Sequence, residues 1–360
     1  MLIIKKNLIS LKRENRKTNI KNSKGLFLNR NENPIDYSKK IKNDLQNRFN
    51  KIQLSRYPDV SSFKSKLSKF LKVKNENLFL TEGVSGAIKS LMEVYTLPKK
   101  TNIVFPEPTF AMYPIFAKMF DVKAIKIPYK KYEIDYQKLL KSINKKTSLV
   151  FLPNPNNPIE GNLPLKKIKK ILKICERNKC LLILDEVYYP FGKTTGLSLI
   201  KKSNNIFVMR SLSKAGGLAS IRLGYLIGNK KNIDYVSKIR GGYESNSVSM
   251  EIGSYFLENY NIITKQISKI KSGFKFLKNN LKKNQVEFNG GENGNYIFIN
   301  LKNLRKNKFI VNFLKKNKIF VRSGWPSPFN KGFSIAGTNK KNMKIFCDKF
   351  NQALKKFKRI

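Results

Sequence analysis

One lysine, Lys214, lies among small residues between two apolar runs, in MRSLSKAGGLASIRLGY (209–225). Ser211 and Ser213 precede this lysine, and Arg222 follows it. A lysine amine that is removed from water becomes a nucleophile, which forms Schiff bases with carbonyl groups and can then carry a proton. The small neighbouring residues would let a planar ring approach the backbone. Because the chain contains no histidine, a lysine is a natural general base here.

A second stretch, LTEGVSGAIKSL (80–91), suits an anion. Gly83 lies at a turn, and a helix is predicted to begin at Val84 or Ser85. The first N–H groups of a helix have no partner within the helix, so a helix start binds phosphate and carboxylate groups. By itself this signal is weak, because many turns between strands and helices carry Gly and Ser.

Two further stretches end apolar runs on polar side chains. NPNNP (154–158) places Asn157 before a proline, which biases its backbone toward extended geometry. LILDEVYYPFG (182–192) ends a predicted buried strand on Asp185, with Tyr188 three residues later. A carboxylate at a buried strand end needs a cationic partner or several hydrogen bonds.

These groups together fit one ligand, pyridoxal 5'-phosphate. Its phosphate suits a helix start, two hydroxyls and an arginine, and its phenolic oxygen suits the Asn and Tyr donors. Its ring nitrogen suits the carboxylate, which would keep that nitrogen protonated and make the ring an electron sink. Its aldehyde suits the lysine. The sequence therefore predicts a pyridoxal-phosphate site with no metal ion.

The elements that must position these residues predict an α/β fold. Apolar runs that end in turn or polar residues predict five buried strands, at 102–108, 147–155, 180–188, 205–213 and 223–228. Helix candidates follow at 109–120, 164–178 and 250–283. Alternating strands and helices indicate a mainly parallel sheet that helices cover on both faces, with ligand sites at the strand ends.

The domain prediction is a three-layer α/β/α large domain with a smaller α+β domain. Residues 1–25 are interpreted as a basic, partly disordered lead-in, and 26–50 as an N-terminal arm that completes part of the small domain. The large domain is predicted to span 51–280. From about Gln285 the pattern of strands and helices changes, so 281–360 is predicted to form the small C-terminal domain.

Composition narrows the possible partners. Lys and Arg number 73 against 23 Asp and Glu, for a formal charge of +50. The lysines are spread over many stretches, and no helix-turn-helix, zinc-finger or RNA-binding motif is visible, so a general enrichment in lysine is favoured over nucleic-acid binding. Such a field would still attract small anionic substrates.

The cellular location follows from what the sequence lacks. No run of about 18 uncharged apolar residues or signal-peptide pattern is visible, so neither a membrane nor a secreted protein is predicted. The three cysteines form no CxxC pair, which disfavours zinc sites and a disulfide framework. The prediction is a cytoplasmic protein.

From about Leu28 onward the chain resembles the fold-type I, class I and II aminotransferases, most closely the histidinol-phosphate aminotransferase branch. The motifs that carry the resemblance occur in the family's order: LNRNENP (28–34), SRYPD (55–59), PEPTFAMY (106–113), NPNNP (154–158), DEVYYPF (185–191) and RSLSKAGGLASIRLGY (210–225). The resemblance implies transfer of an amino group between an amino donor and a carbonyl acceptor, by a ping-pong Schiff-base mechanism.

The resemblance also implies residue roles. Lys214 would form the Schiff base, Asp185 would pair with the pyridine nitrogen, and the phenolic oxygen would meet Asn157 and Tyr188. The phosphate would be held by these residues: Val84 and Ser85 through their backbone, Ser211, Ser213 and Arg222.

The resemblance implies roles for four further residues, each of which also has a simpler structural explanation. Tyr57 would reach the cofactor phosphate of the neighbouring subunit in a homodimer, or only pack a turn. Phe110 would stack on the cofactor ring, or belong to the core. Asn33 would line the substrate side, or only form a turn. Arg322 would also line the substrate side, or be an ordinary charge at a strand end. Tyr243 is a candidate subunit contact.

The chain departs from the family at the final strand, GFSIAGT (332–338). Phe333 stands where the family carries an arginine that binds the substrate carboxylate with two parallel hydrogen bonds. TEGVSG also lacks an acidic pair that is usual in the histidinol-phosphate branch. Three functions therefore stay open: an aminotransferase for a phosphorylated or otherwise anionic amine, a lyase of the threonine-phosphate decarboxylase type, and a non-catalytic binding protein.

Overall fold

The computed structural model describes residues 4–11 and 24–358. Its helices are α1 (Lys6–Ile9), α2 (Lys39–Phe49), α3 (Val60–Leu71), α4 (Gly83–Tyr95), α5 (Met112–Met119), α6 (Tyr136–Ser142), α7 (Leu165–Arg177), α8 (Leu197–Ile200), α9 (Lys230–Ser237), α10 (Ser247–Glu258), α11 (Tyr260–Lys283), α12 (Leu304–Lys316) and α13 (Lys340–Phe357). Its strands are β1 (Leu26–Phe27), β2 (Leu78–Glu82), β3 (Asn102–Glu107), β4 (Lys123–Lys130), β5 (Glu133–Ile134), β6 (Thr147–Pro153), β7 (Leu181–Asp185), β8 (Ile206–Ser211), β9 (Leu223–Gly228), β10 (Glu287–Gly290), β11 (Tyr296–Asn300), β12 (Ile319–Phe320) and β13 (Gly332–Ala336).

The large sheet has the strand order β2-β9-β8-β7-β6-β3-β4-β5. Its central strands β8, β7, β6, β3 and β4 run parallel, whereas β2, β9 and β5 pair antiparallel at the two sides. The five strands predicted from apolar runs are confirmed as β3, β6, β7, β8 and β9. Because the central strands are parallel, their carboxyl ends meet at one edge of the sheet.

Both faces of the large sheet are buried. Along β7, Leu182 and Leu184 join one hydrophobic cluster, whereas Leu181 and Ile183 join the other. Successive side chains of a strand point to opposite faces, so apolar residues at every position require a helix layer on each side. The predicted three-layer α/β/α fold is therefore confirmed.

A smaller sheet, β10-β11-β13, is antiparallel. The two-residue strand β1 pairs with β12 and carries the N-terminal segment to this part of the molecule. Helix α13 packs against α11 and α12 and covers one face of the small sheet. The predicted limits of the two domains stay a prediction.

The helix predicted over 250–283 is two helices, α10 and α11, which meet at Asn259. The backbone of Asn259 leaves helical geometry, with φ −111° and ψ 47°, and its side-chain amide donates to the carbonyl of Tyr255 at 2.9 Å. Asn side chains compete in this way for backbone partners, which makes Asn a frequent helix end. Hydrophobic periodicity continues through the break, so the pattern alone does not reveal it.

Most of the predicted lead-in, 1–25, lies outside the described residues. Within its described part, α1 lies against the end of α5, where the Asn7 side chain donates to the carbonyls of Lys118 and Met119, both at 2.8 Å. Within 4–11 and 24–358, no helix is both long and apolar enough to cross a membrane.

Two glycines allow β9 to touch the start of α4. A Cβ atom built on Gly224 would lie 2.6 Å from the Cα and carbonyl carbon of Gly83. Gly224 is also in register with Ser211 on β8 and with Thr81 on β2. The missing side chain at Gly224 therefore places the start of α4 beside the end of β8.

Replacing Gly224 with alanine should destabilise the protein by about 1–3 kcal/mol, because the added methyl group meets backbone that cannot move independently. The matched control is Gly241→Ala, since no heavy atom lies within 4 Å of a Cβ at Gly241. This control should change stability by less than about 0.5 kcal/mol. Urea unfolding of both variants measures the difference, and equal stabilities would contradict the close approach.

Candidate active site

The strand ends of the large sheet bring the predicted chemical groups to one edge. Pro153 of β6 is in register with Asp185 of β7, and Asp185 is in register with Met209 of β8. The segments that follow these three residues carry Asn157, Tyr188 and Lys214. Three motifs separated by tens of residues in the sequence therefore converge at the carboxyl edge.

Asp185 is a buried carboxylate with neutral partners. It is 2% exposed, and it accepts hydrogen bonds from the Tyr113 hydroxyl at 2.6 Å and from the Val187 backbone N–H at 3.0 Å. Burial raises the pKa of Asp185 to about 6, while these two hydrogen bonds oppose that rise. In the described part of the chain, no lysine or arginine forms an ion pair with Asp185. This carboxylate is thus suited to a cationic ligand group.

Tyr188 and Asn157 present hydrogen-bond donors beside Asp185. The Tyr188 hydroxyl is buried and accepts a hydrogen bond from the Asn31 side-chain amide at 2.9 Å. Burial raises the pKa of Tyr188, so the phenol keeps its proton. The side-chain nitrogen of Asn157 is buried and has no hydrogen-bond partner within the described residues. Because an orphaned buried amide costs stability, Asn157 fits a site that a ligand oxygen completes.

The groups predicted to bind phosphate form one corner at the start of α4. Ser211 and Ser213 are buried, and their hydroxyls lie 2.8 Å apart. The Arg222 guanidinium lies against Gly83, where an added Cβ would meet its nitrogen at 2.8 Å, and it donates to the Glu82 carbonyl at 3.2 Å.

The start of α4 adds backbone donors to that corner. Gly83 has φ +62°, and no side chain caps the helix. The first N–H groups of α4, including those of Val84 and Ser85, are thus left for another partner. The helix dipole, the arginine and the two hydroxyls all favour an anion here.

Lys214 follows β8 at the same edge. Its amine is half-buried and donates to the Arg30 carbonyl at 3.1 Å. Burial lowers the pKa of Lys214 to about 8; Glu32 opposes this change, and the Arg222 guanidinium contributes to it. A substantial fraction of this amine is therefore neutral near pH 8, as a nucleophile requires.

A buried ion pair lies behind this edge. Arg210, next to Ser211, donates two hydrogen bonds to Glu186, next to Asp185, at 2.7 and 2.9 Å. The guanidinium also lies 3.7 Å from the centre of the Tyr189 ring. The pair ties the end of β7 to the end of β8, so the carboxylate and the serines are held at a constant separation.

The remaining predicted residues lie less deeply. Phe110 is 39% exposed and meets Tyr113 edge-on. Asn33 closes a local turn with the backbone of Ile35 and also lies against Gly217 beyond Lys214. Its geometry is that of a turn former at the margin of the site.

Arg322 and Tyr57 are exposed. The Arg322 guanidinium lies 5.6 Å from the centre of the Trp325 ring, and its backbone pairs with Ser334. Tyr57 is 79% exposed and stacks on Tyr243 with ring centres 4.6 Å apart. Both side chains are thus more exposed than the buried groups at the strand ends.

Phe333 faces the core. It is fully buried, and its ring centre lies 6.5 Å from that of Phe346 and 6.2 Å from that of Phe350, both on α13. Residue 333 therefore occupies the face of β13 that α13 covers, whereas Gly332 and Ser334 belong to the other face. Neither face carries a cation over 332–336, so β13 supplies no arginine to clamp a carboxylate.

Three contacts of the site are not evident from the sequence. They are the Tyr113 hydroxyl on Asp185, the Asn31 amide on Tyr188 and the Arg30 carbonyl on Lys214. Tyr113 and Asn31 lie inside motifs that were recognised, PEPTFAMY and LNRNENP. Their roles depend on partners at least 72 residues away, which no local pattern indicates.

The residues present fit pyridoxal phosphate. The start of α4 with Arg222 and two serines suits the phosphate, and the buried carboxylate suits a pyridinium. The unpaired Asn157 amide suits the phenolic oxygen, and the low-pKa Lys214 suits the aldehyde. In residues 4–11 and 24–358, no three side chains of His, Cys, Asp or Glu cluster as metal ligands do.

Replacing Lys214 with methionine should stabilise the cofactor-free protein by roughly 1–3 kcal/mol at pH 7. The folded-state pKa of about 8 lies below the ordinary 10.5, so folding disfavours the charged amine. The charged Lys214 amine therefore destabilises the wild-type protein below about pH 8, and this destabilisation disappears above about pH 10.5. Urea unfolding at pH 7 and above pH 10 measures it, with exposed Lys202→Met as control. If Lys214→Met stabilised the protein by the same amount above pH 10 as at pH 7, the lowered pKa of Lys214 would not be the cause.

Replacing Phe333 with arginine should destabilise the protein by at least about 3 kcal/mol, because it buries an unpaired guanidinium against α13. Ile345→Arg is the control. Ile345 lies on α13, the helix that packs against Phe333, but its side chain is 46% exposed. Thermal unfolding of both variants tests the orientation of residue 333. A normally stable Phe333→Arg protein with improved amino-acid binding would show that position 333 faces the substrate.

Two histidinol-phosphate aminotransferases are similar to this chain in sequence. A histidinol-phosphate aminotransferase of Pyrococcus furiosus is 32% identical over 248 residues, which cover 68% of this chain and 71% of the relative. A histidinol-phosphate aminotransferase of Pelagibacter ubique is 28% identical over 340 residues, which cover 91% and 93%.

Solved structures show the same fold. The histidinol-phosphate aminotransferase of Sinorhizobium meliloti, solved in complex with pyridoxal 5'-phosphate, aligns over 92% of this chain and 91% of its own, with a TM-score of 0.84 and 19% identity. The family model for class I and II aminotransferases matches residues 23–350. The chain therefore belongs to the class I and II aminotransferase family and is a pyridoxal-phosphate-dependent transferase similar to histidinol-phosphate aminotransferases.

Proposed function

We propose that this enzyme moves an amino group between an amino donor and a carbonyl acceptor in two half-reactions, and that its amine substrate is phosphorylated or otherwise anionic, as histidinol phosphate is. One observation carries the proposal: Lys214, with a pKa lowered to about 8, shares the strand-end edge with buried Asp185 and protonated Tyr188. The names of the relatives favour a phosphorylated substrate, and the charge of +50 favours an anionic one.

Each residue of the cluster would act on the bound cofactor. When bound, pyridoxal phosphate supplies a carbonyl carbon and a ring that accepts an electron pair. Asp185 would hold the ring nitrogen protonated, and its raised pKa would fall once a cation lies beside it. Asn157 and Tyr188 would donate to the phenolic oxygen.

The phosphate would rest at the start of α4, on the backbone of Val84 and Ser85. Ser211, Ser213 and Arg222 would complete its hydrogen bonds.

Lys214 would carry the protons of the reaction. Its neutral Nζ would hold the carbonyl carbon of the cofactor covalently, with the carbonyl oxygen lost as water. With an amine substrate in that place, the free Nζ would accept the proton from the carbon next to the substrate nitrogen. The same ammonium would then return the proton to a different atom. No histidine is present to share this work.

The remaining roles concern neighbours of the cluster. Phe110, exposed beside Tyr113, would cover the cofactor ring. Asn33 and Arg322 would line the substrate side. The stacked and exposed pair Tyr57–Tyr243 is suited to a subunit contact, in a homodimer where Tyr57 reaches the cofactor phosphate of the partner. A cytoplasmic location is proposed from the composition.

A lyase or decarboxylase is the second candidate, and the absence of a cation over 332–336 of β13 favours it. A carboxylate clamp determines which bond of the substrate is held perpendicular to the ring, and that orientation selects which bond breaks. Without that clamp, loss of the carboxylate competes with loss of a proton.

The purified protein should absorb visible light when loaded with pyridoxal phosphate, and a suitable amine should bleach it. Lys214→Ala should lack the visible band and lose activity by at least about 1,000-fold, because the covalent link and the base are removed together. Lys202→Ala, an exposed lysine, is the control and should behave as wild type.

Titration with glutamate and then with histidinol phosphate identifies the substrate class. Bleaching by either amine, reversed by a keto acid, supports amino transfer. Release of carbon dioxide from an amino acid phosphate would replace the proposal with decarboxylation. A wild-type protein that binds no pyridoxal phosphate would overturn it.

A further inference from the structure

We propose that Asn31 is a positioning residue that directs the proton of the Tyr188 hydroxyl toward the cofactor. The inference rests on the proposed function, because it assigns Tyr188 a donor role toward bound pyridoxal phosphate. Asn31 lies in the N-terminal segment, 157 residues from Tyr188 in the sequence.

The contact between the two side chains determines which way the phenol donates. The Asn31 side-chain nitrogen lies 2.9 Å from the Tyr188 oxygen, and both residues are buried, at 8% and 6% exposure. An amide nitrogen only donates, so the phenolic oxygen accepts this bond. Tyr188 retains its single proton, which must therefore be donated elsewhere. Accepting one hydrogen bond also strengthens the bond that the same hydroxyl donates.

The backbone of Asn31 aims its amide. Asn31 has φ +52°, a left-handed conformation that Asn tolerates better than most residues. Its carbonyl accepts a hydrogen bond at 2.9 Å from the side chain of Asn295, which is fully buried at the start of β11. Nearby, the Leu28 carbonyl accepts from the Ala336 N–H of β13 at 2.8 Å. The small sheet thus holds the segment that orients Tyr188.

The same segment also meets the reactive lysine. The Arg30 carbonyl accepts from the Lys214 amine at 3.1 Å, and Arg30 is the residue before Asn31. The titratable groups that face Tyr188 are Asp185, Tyr113 and Tyr296, and the ring of Tyr296 lies 4.9 Å from that of Tyr188. The Asn31 amide, which does not titrate, donates directly to the Tyr188 hydroxyl.

Substitutions at Asn31 and Tyr188 distinguish an effect on the orientation of the Tyr188 hydroxyl from an effect on the folding of the protein. Asn31→Gly removes the amide and retains the φ +52° backbone without strain. Asn31→Asp keeps the shape but replaces the donor with an acceptor, which would capture the Tyr188 proton. Tyr188→Phe removes the hydroxyl itself. Asn307→Ala is the matched control, because Asn307 is buried as well, but its amide donates to the carbonyls of Asn330 and Gly332.

Two measurements use the full chain with pyridoxal phosphate as the probe: its dissociation constant, and the pH midpoint of the visible absorption change of the loaded protein. A proton donated to the phenolic oxygen stabilises the more negative, deprotonated form, so losing that donor raises the midpoint. We expect Tyr188→Phe to raise it most and Asn31→Gly to raise it by about 0.5–1 pH unit. Asn31→Asp should match Tyr188→Phe.

The double variant decides whether Asn31 acts through Tyr188. In the Tyr188→Phe background, Asn31→Gly should add no further shift and should weaken binding less than about threefold. A shift no larger than that of Asn307→Ala, or an equal shift in both backgrounds, would overturn the inference. A wild-type protein without a visible band would instead overturn the proposed function, and this inference with it.

Discussion

The structure of the site depends on one unfavourable arrangement, a carboxylate buried at a strand end with only neutral partners. Asp185 receives two hydrogen bonds, from Tyr113 and from Val187, yet its pKa is still raised to about 6. On the same edge, a lysine amine has its pKa lowered to about 8. Burial shifts both pKa values in the direction of the neutral form, so the folded protein stores a free-energy cost that a cationic, carbonyl-bearing ligand relieves.

The unfavourable burial of Asp185 and Lys214 requires that the strand ends around them are held rigidly. The Glu186–Arg210 ion pair ties the ends of β7 and β8, and the contact of Gly83 with Gly224 places the start of α4 beside Ser211. Both features lie within two residues of a predicted cofactor contact. The strand ends therefore form one preorganised unit, in which separations are set by the sheet register and are not left to the ligand.

The sequence allows the sheet and the central residues of the site to be predicted, because each depends on local patterns. Apolar runs predicted β3, β6, β7, β8 and β9 of the large sheet, and Lys214 and Asp185 were recognised as charged residues at the ends of such runs. The break at Asn259 was missed because the hydrophobic period continues across it. Asn31 and Tyr113 were missed because their hydrogen bonds join distant segments. The orientation of Phe333 required the position of α13, which strand alternation alone does not supply.

The proposed roles assign cofactor binding and substrate choice to different parts of the molecule. The groups that suit pyridoxal phosphate are at the ends of strands in the large sheet, whereas Asn33, Arg322 and β13 belong to the N-terminal segment and the small sheet. Over 332–336, β13 has no cation, while the strand-end cluster is intact. The lack of a cation on β13 therefore leaves Asp185 and Lys214 in place. Since the chain carries 73 basic residues, long-range attraction can bring an anionic substrate to the site, but only a positioned donor can orient it. The proposed roles therefore assign substrate specificity to the few polar groups of the small sheet and the N-terminal segment.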